Sequence, residues 1–422
     1  MPNFPLPRAS VFAAVCALGL ASPVTAEPSP LDAARLRAQG PAALAGLLAR
    51  WDHLAAGPDR DALALTIDAV AGQRYATASR LYWYMDLAAA EAAAHAQHRP
   101  ILALRMLGRL DEDLSCANSR FFRTTLYANT HVSSFLREHF ILYWSSVRPV
   151  PRVTIDFGDG RKLERTTTGN SAHYVLDETG AVLDVLPGLY APVAFERELH
   201  ASLALATAAR GQGVDARARL VTAYHTRRVA ATRAAWDALG EVPYIHGKHR
   251  LLGSDDVKSA LATAQRATMS KAFVEVPDLR AVAAGADPGT LPEGADLWAS
   301  VGQRLYAPGK ILDERSRALI EAVHDAVPAS LVASREAMDA VIARLEQHIV
   351  ADTALNQLKL RPQISSYLAA GHSDFVEVDA WIYDNVFGTP SNDAWLGLLP
   401  RTDFTGLPGD GVVLPEVTAP QR

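Results

Sequence analysis

The chain has 422 residues, a length that allows two or three domains. Hydrophobic residues make up 49% and charged residues 21%, which is ordinary for a folded soluble protein. The formal charge of -5 and the lack of a polybasic run argue against a nucleic-acid-binding surface.

Residues 1–26 are typical of a secretory signal. Arg8 precedes the short apolar run Val11–Leu20, and Val24–Ala26 offers small residues for cleavage. The run is too short to span a bilayer, which needs about 20 residues, and no later segment is apolar enough to do so. We therefore expect a periplasmic or secreted protein with no transmembrane segment after cleavage. A retained interfacial anchor is the alternative.

Residues 27–79 are predicted to form an N-terminal helical segment. Their apolar residues recur at helical spacing, and Gly40–Pro41 interrupts the pattern. The segment would pack as a small cap on the domain that follows.

The sequence pattern changes at residue 80, and residues 80–206 predict an α/β domain. Short apolar or aromatic runs alternate with helical patterns in the order β-α-β-α-β, followed by a β-hairpin and a helix. Ile101–Leu107 is an apolar run apart from Arg105, as expected for a buried parallel strand, and Asp86 is placed to cap the preceding helix. The polar stretch 148–169 is predicted to be an inserted hairpin that turns at Gly158–Gly160.

Residues 207–422 are predicted to be mainly α-helical. Several segments have helical periods, and Gly/Pro-rich joints such as Ala283–Leu297 separate them. The C-terminal end is rich in Pro, Gly and aromatic residues. It is predicted to wrap the body, with Trp381 and Trp395 as anchors.

Residues 80–206 resemble the thioredoxin-like superfamily. Three stretches carry the likeness: "HRPILALRML", "SCANSR" at the place of the family's active-site motif, and a hairpin-and-helix stretch that begins "TGNSAHYVLDETG". The resemblance implies a thioredoxin-like mixed sheet with helices on both faces. The N-terminal helical cap and the mainly α-helical C-terminal region would flank it.

Two positions depart from the family pattern. The family's Cys-x-x-Cys motif reads Cys116-Ala117-Asn118-Ser119 here, so serine replaces the second cysteine. Ser171 stands where the family places a cis-proline. A cis bond before a residue other than proline costs ~2.5–4 kcal/mol, so we expect a trans bond between Asn170 and Ser171.

Cleavage of the signal removes Cys16 and leaves Cys116 as the only cysteine, which excludes an internal disulfide. A cysteine in the first turn of a helix is favoured as the thiolate by the helix dipole, with a pKa of ~3.5–7.5 in such sites. Arg120, one turn along, would add positive charge. The thiolate would attack a disulfide, but the Ser119 hydroxyl cannot resolve the resulting mixed disulfide. The expected activity is monothiol exchange with protein thiols or disulfides.

The resemblance also implies a substrate-binding surface next to Cys116. Asn118 would be a polar neighbour of the thiol. The backbone of Gly169, Asn170 and Ser171 would pair with an extended substrate.

Two other functions remain open. Cys116 is also consistent with a small buried hydrophobe, in a catalytically inactive thioredoxin-fold module that binds or scaffolds partners in the cell envelope. A peroxidase that forms a sulfenate on Cys116 is a third option.

No cofactor or metal is predicted. His225, His246 and His249 invite a zinc interpretation, but no acid or thiol follows at ligand spacing, and solvated loop histidines explain them more simply. A nucleophile pair of Ser171 and His173 lacks an orienting acid. His173 is more typical of a core or edge residue.

Overall fold

The computed structural model describes residues 30–167, 170–239, 295–324 and 338–388. These residues form an α/β structure with a mixed sheet, which confirms the coarse fold class predicted from the sequence. None of the helices in these ranges combines the length and apolar character needed to cross a bilayer. The predicted signal segment 1–26 lies outside the described residues.

In the described part of the chain, seven strands form two sheets. The main sheet has the order β1-β3-β2-β6-β7, with β1, β3 and β2 parallel and with β6 and β7 antiparallel to their neighbours. The second sheet is the hairpin β4-β5, inserted between β3 and β6 as the sequence predicts. The strands are β1 (Trp83–Tyr84), β2 (Ile101–Leu107), β3 (Ile141–Arg148), β4 (Arg152–Asp156), β5 (Lys162–Thr166), β6 (Ala172–Leu176) and β7 (Val182–Pro187).

Helices precede, connect and follow these strands. Three of them continue directly into short π-helical segments, Phe122–Leu126, Asn356–Leu360 and Ile382–Val386. The helices are α1 (Pro30–Arg37), α2 (Pro41–His53), α3 (Pro58–Ala71), α4 (Ala76–Ser79), α5 (Leu87–Gln97), α6 (Ala117–Phe121), α7 (Thr130–His139), α8 (Pro192–Ala209), α9 (Val214–Leu239), α10 (Ala295–Leu305), α11 (Glu314–His324), α12 (Met338–Leu355), α13 (Arg361–Ala369) and α14 (Phe375–Trp381).

Local sequence explains where several elements begin and end. Asp86 caps α5 by accepting a hydrogen bond from the Ala89 N–H (2.8 Å), as predicted. The break predicted at Gly40–Pro41 separates α1 from α2, with Pro41 in the first turn of α2. The central strand β2 is buried along nearly its whole length, as its apolar sequence predicts.

One continuous hydrophobic core joins the sheet to the C-terminal helices. Buried side chains of β2, β3, β6 and β7 pack in the same cluster as those of α12, α13 and α14. Helix α8 runs across the boundary predicted between 80–206 and 207–422. The predicted division into domains stays a prediction. Within the described residues, the core packing is continuous across the predicted boundary.

A buried ionic network fastens the C-terminal helices to the sheet. Arg361, at the start of α13, donates to Asp184 on β7 and to Glu198 on α8 (2.6 Å to Glu198). Ser202 (2.6 Å) and Tyr224 (2.8 Å) donate to the same Asp184 carboxylate. Arg361 and Asp184 are almost completely buried, so each charge depends on these partners for its stability in the interior.

We predict that Arg361→Met destabilises the protein by about 3–5 kcal/mol, because the carboxylates of Asp184 and Glu198 would remain buried without their shared cation. Urea denaturation measures the free energy of unfolding. Arg317→Met is the matched control, since Arg317 forms ion pairs with more exposed partners, Asp339 and Glu321, and such pairs contribute about 0–1 kcal/mol. Equal effects of the two substitutions would contradict the role of the network.

The same network predicts a loss of stability in acid. Burial by itself raises the pKa of Asp184, but Arg361, His225, Arg228 and the Ser202 hydrogen bond outweigh it and hold that pKa below its ordinary value of 3.8. A depressed pKa stabilises the folded state above the unfolded pKa, and this stability is lost as the pH falls.

The urea concentration at the unfolding midpoint is therefore expected to decrease as the pH is lowered from about 5 to about 3. In Asp184→Asn it should decrease less steeply. An equally steep fall in the variant would contradict this assignment.

Candidate functional site

The site around Cys116 lies where the central strand β2 passes into helix α6. Gly108 follows β2 with a φ of 76°, and a Cβ there would meet Ser115 Cα at 3.2 Å. A glycine is therefore required where the chain turns back. The returning chain places the Cys116 N–H 3.2 Å from Leu107 O. Cys116 is the N-cap residue of α6, at the helix start that the sequence predicts.

A buried arginine holds the loop before Cys116. Arg123 donates to the backbone oxygens of Leu110 (3.1 Å) and Glu112 (2.5 Å), and to the Ser115 hydroxyl (3.2 Å). Burial lowers the pKa of Arg123 to about 10, which leaves it charged at neutral pH. Sequence reasoning missed this residue, because an arginine in a polar helix start is usually solvated.

The acidic residues of the same loop are paired with arginines on its outer side. Asp113 binds Arg74 (2.9 Å), and Asp111 binds Arg109 (2.6 Å). The negative charge of this loop, which precedes Cys116 in the sequence, is therefore compensated by these arginines at the loop surface. The Arg74 pair also ties the N-terminal helical segment to the cysteine loop.

The Cys116 sulfur is buried among hydroxyl groups. Its residue has 0% exposure. Sγ lies 3.1 Å from Ser171 Oγ and 3.5 Å from Ser119 Oγ. The Ser119 hydroxyl in turn donates to Ser115 Oγ (2.7 Å). The structure therefore brings the predicted site residues Cys116, Ser119 and Ser171 together, but it closes them off from solvent.

Two other predicted site residues occupy the same helix. The guanidinium of Arg120 donates to Thr166 Oγ1 on the inserted hairpin (3.1 Å), and its predicted role as a thiolate stabiliser stays a prediction. Asn118 is fully buried, and neither atom of its side-chain amide has a hydrogen-bond partner. An unpaired buried amide costs about 1–3 kcal/mol, which makes it an unusual feature of this first turn.

The predicted substrate-pairing surface is not exposed in this structure. Asn170 and Ser171 have 0% exposure, and Gly169 lies outside the described residues. The Tyr383 hydroxyl donates to Asn170 O (2.8 Å), and the Gly188 N–H donates to Ser171 O (2.8 Å). The π-helical segment Ile382–Val386 brings Tyr383 onto Asn170, and the predicted role of these residues in substrate binding stays a prediction. The bond between Asn170 and Ser171 is trans, as expected.

His173 is a core residue, as the sequence favours. It is fully buried between the rings of Phe122 and Phe195 (centroids at 4.6 and 4.9 Å) and hydrogen-bonds Tyr127 through Nε2 (2.7 Å). Burial lowers its pKa to about 3, so it is neutral. Ser171 contacts Cys116 instead, so these contacts give no support to a Ser171–His173 pair.

The histidines weighed for zinc do not form a site in the described part of the chain. His225 is buried, with Nε2 donating to Leu183 O (2.9 Å) and Nδ1 near Ser365 Oγ (3.3 Å). His246 and His249 lie outside the described residues. Among the residues that can be described, no group of three or more His, Cys, Asp or Glu side chains is arranged to hold a metal ion.

No protein-family model, curated protein or solved structure matches this chain.

We predict that native Cys116 reacts with iodoacetamide at least about a hundredfold more slowly than in urea, because access requires a local opening of the fold. Arg123→Gln should raise the native rate at least about tenfold, since it removes the cation that holds the cysteine loop. Mass spectrometry of the quenched adduct measures both rates.

Arg161→Gln, at the exposed turn of the inserted hairpin, is the control and should leave the native rate near that of the wild type. Rapid alkylation of the native wild-type protein would show that the sulfur is accessible, and would contradict the closed site.

Proposed function

We propose that this chain is a thioredoxin-like protein of the cell envelope that binds or scaffolds partners and does not catalyse redox exchange. The order of the main sheet, with a cysteine at the helix start after its central strand and a closing hairpin and helix, supports the fold assignment. The signal-like residues 1–26 support the location.

The observation that carries the proposal is the closure of the cysteine site. The sulfur and the backbone of Asn170 and Ser171 are buried, and Tyr383 bonds the carbonyl that a substrate strand would reach. A nucleophile must approach its target within about 3–3.5 Å, and a fully buried sulfur cannot do so with a protein disulfide.

The chemistry of the motif points the same way. Ser119 occupies the resolving position, and a hydroxyl cannot form the second sulfur–sulfur bond that releases a mixed disulfide. The Ser119 hydroxyl is instead engaged with Ser115 Oγ and with the Cys116 carbonyl (2.8 Å). These three residues form a buried polar contact that supports the packing of the helix start.

Monothiol exchange is the second candidate, and the polar surroundings of the sulfur favour it. Hydroxyl groups of Ser119 and Ser171 reach Sγ, and the unpaired amide of Asn118 lies in the same first turn. If the segment carrying Tyr383 moved away, the Cys116 thiolate could attack a disulfide. One sulfur–sulfur bond would form, the other would break, and the leaving thiolate would take up a proton from solvent.

Disulfide exchange on the intact protein tests the proposal. Wild type and Cys116→Ser are incubated with glutathione disulfide, and the glutathione adduct is measured by mass spectrometry. We expect no more than trace adduct on the folded wild type, and equal, background reduction of insulin by the two proteins. Rapid, stoichiometric adduct on Cys116 of the folded wild type would overturn the proposal in favour of exchange.

Two variants at Tyr383 examine the closure itself. Tyr383→Ala removes both the ring and the hydroxyl that bonds Asn170 O and should increase adduct formation, whereas Tyr383→Phe keeps the ring and loses only that hydrogen bond. Circular dichroism checks that both variants remain folded, because a large-to-small core change costs about 3–5 kcal/mol. A folded Tyr383→Ala that stays unreactive would show that other contacts close the site.

A further inference from the structure

An open cleft lies at the edge of the main sheet, away from the cysteine site. It has a volume of about 500 Å³ and separates helix α2 of the N-terminal segment from the edge strand β1 and the start of β3. Buried apolar side chains of both sides line it, among them Leu44, Leu48, Phe140 and Ile141. Clefts of about 300–1,000 Å³ between structural units are typical places for small ligands.

Two tyrosines form one wall of the cleft. Tyr82 and Tyr84 lie edge to face, with their ring centroids 5.1 Å apart, and both line the cleft. They add aromatic surface beside the aliphatic lining of α2. A ligand with an apolar body would therefore find contacts on more than one side of the cleft.

The polar lining of the cleft carries an excess of positive charge. Among the described residues, Arg80, Arg99 and Arg137 line it together with a single acid, Asp52. Asp52 is engaged by Arg80 through two hydrogen bonds (3.0 and 2.6 Å). Within the described ranges, Arg99 and Arg137 make no ion pair and donate to uncharged groups instead. Their acceptors include Arg137 O for Arg99 (2.5 Å) and Ser79 O for Arg137 (2.8 Å).

The surroundings of Arg99 and Arg137 favour an anion. The Nε of Arg99 is buried and has no hydrogen-bond partner among the described residues. Burial, together with the charges of Arg315 and Arg80, lowers the pKa of Arg137. An anion placed here would reduce the repulsion between these arginines.

We propose that this cleft binds a small carboxylic acid with an apolar body, whose carboxylate lies against Arg137 and Arg99 and whose body packs against α2 and the tyrosines. A carboxylate matches the geometry of a guanidinium, and the apolar lining accounts for the rest of the molecule. The net positive charge of the lining disfavours a cation. A small anion such as acetate lacks an apolar body and would leave the apolar side chains of the cleft without a contact.

Binding of an acid in this cleft would be a property separate from the proposed function and does not depend on it. The cleft and the cysteine site are lined by different residues, so binding of an acid leaves the reactivity of Cys116 as the separate test of the redox question. Failure to bind acids would likewise leave the closure of the cysteine site untouched.

Isothermal titration of the full chain with octanoate tests the proposal, with 3-phenylpropanoate as an aromatic acid of the same class. Octan-1-ol and acetate are the controls, because the first lacks the charge and the second lacks the body. We expect octanoate to bind at least about tenfold more tightly than either control, because it alone combines a charged hydrogen-bond acceptor with an apolar body. Phenylpropanoate distinguishes an aromatic from an aliphatic preference.

Variants locate the binding site. Ala45→Trp fills the cleft from an exposed position of α2 and should abolish octanoate binding without lowering the melting temperature. Arg137→Gln should weaken binding at least about tenfold, and Arg161→Gln, on the distant hairpin, should leave it unchanged. If Arg137→Gln does not fold, Ala45→Trp still decides the location.

Three results would overturn the proposal: octan-1-ol binding as tightly as octanoate, Ala45→Trp binding like the wild type, or no binding of either acid. A peptide that binds through a free carboxyl terminus, when neither acid binds, would assign the cleft to a protein partner instead.

Discussion

The contact between Arg361 and the carboxylates of Asp184 and Glu198 is the constraint on which the arrangement of this molecule depends. It joins two consecutive elements, the edge strand β7 and helix α8, to the start of α13, which lies more than 160 residues further along the chain. A buried arginine is tolerated only with such partners, so α13 has one position against the sheet. The chain that follows α13 carries Tyr383, and its course is set by this anchor.

A second ionic contact fixes the same C-terminal chain to the centre of the sheet. Arg105 on β2 binds Asp379 of α14 (2.9 Å), and Tyr174 on β6 donates to the same carboxylate (2.8 Å). With both ends of this segment fastened, Tyr383 reaches the carbonyl of Asn170. The burial of the Asn170 carbonyl is therefore a consequence of how the C-terminal helices pack, and the residues of the motif itself do not determine that contact.

Much of the sheet could be predicted from local sequence. The apolar run Ile101–Leu107 and the capping residue Asp86 are signals that act over a few residues, and both were interpreted correctly. The position of Cys116 at a helix start was also predictable, since it follows from the strand and loop before it.

The burial of the site was not predictable in the same way, because it depends on residues more than 200 positions away along the chain. A helical pattern in the C-terminal half does not say which surface the helix covers. One signal was present in the sequence: Asp184 and Arg105 are charged residues inside otherwise apolar strands. Such residues need buried partners, and each finds one in the C-terminal helices.

The central claim is that the C-terminal helices are part of the same folded unit as the sheet and keep the cysteine site closed. Native-state hydrogen exchange of the intact protein tests it most directly, by comparing the amides of Arg361–Ala369 with those of Ile101–Leu107. The account predicts that both sets exchange through the same global opening and share one free energy. Fast exchange of the helix amides while the strand amides stay protected would show that the C-terminal helices detach independently, and would contradict the account.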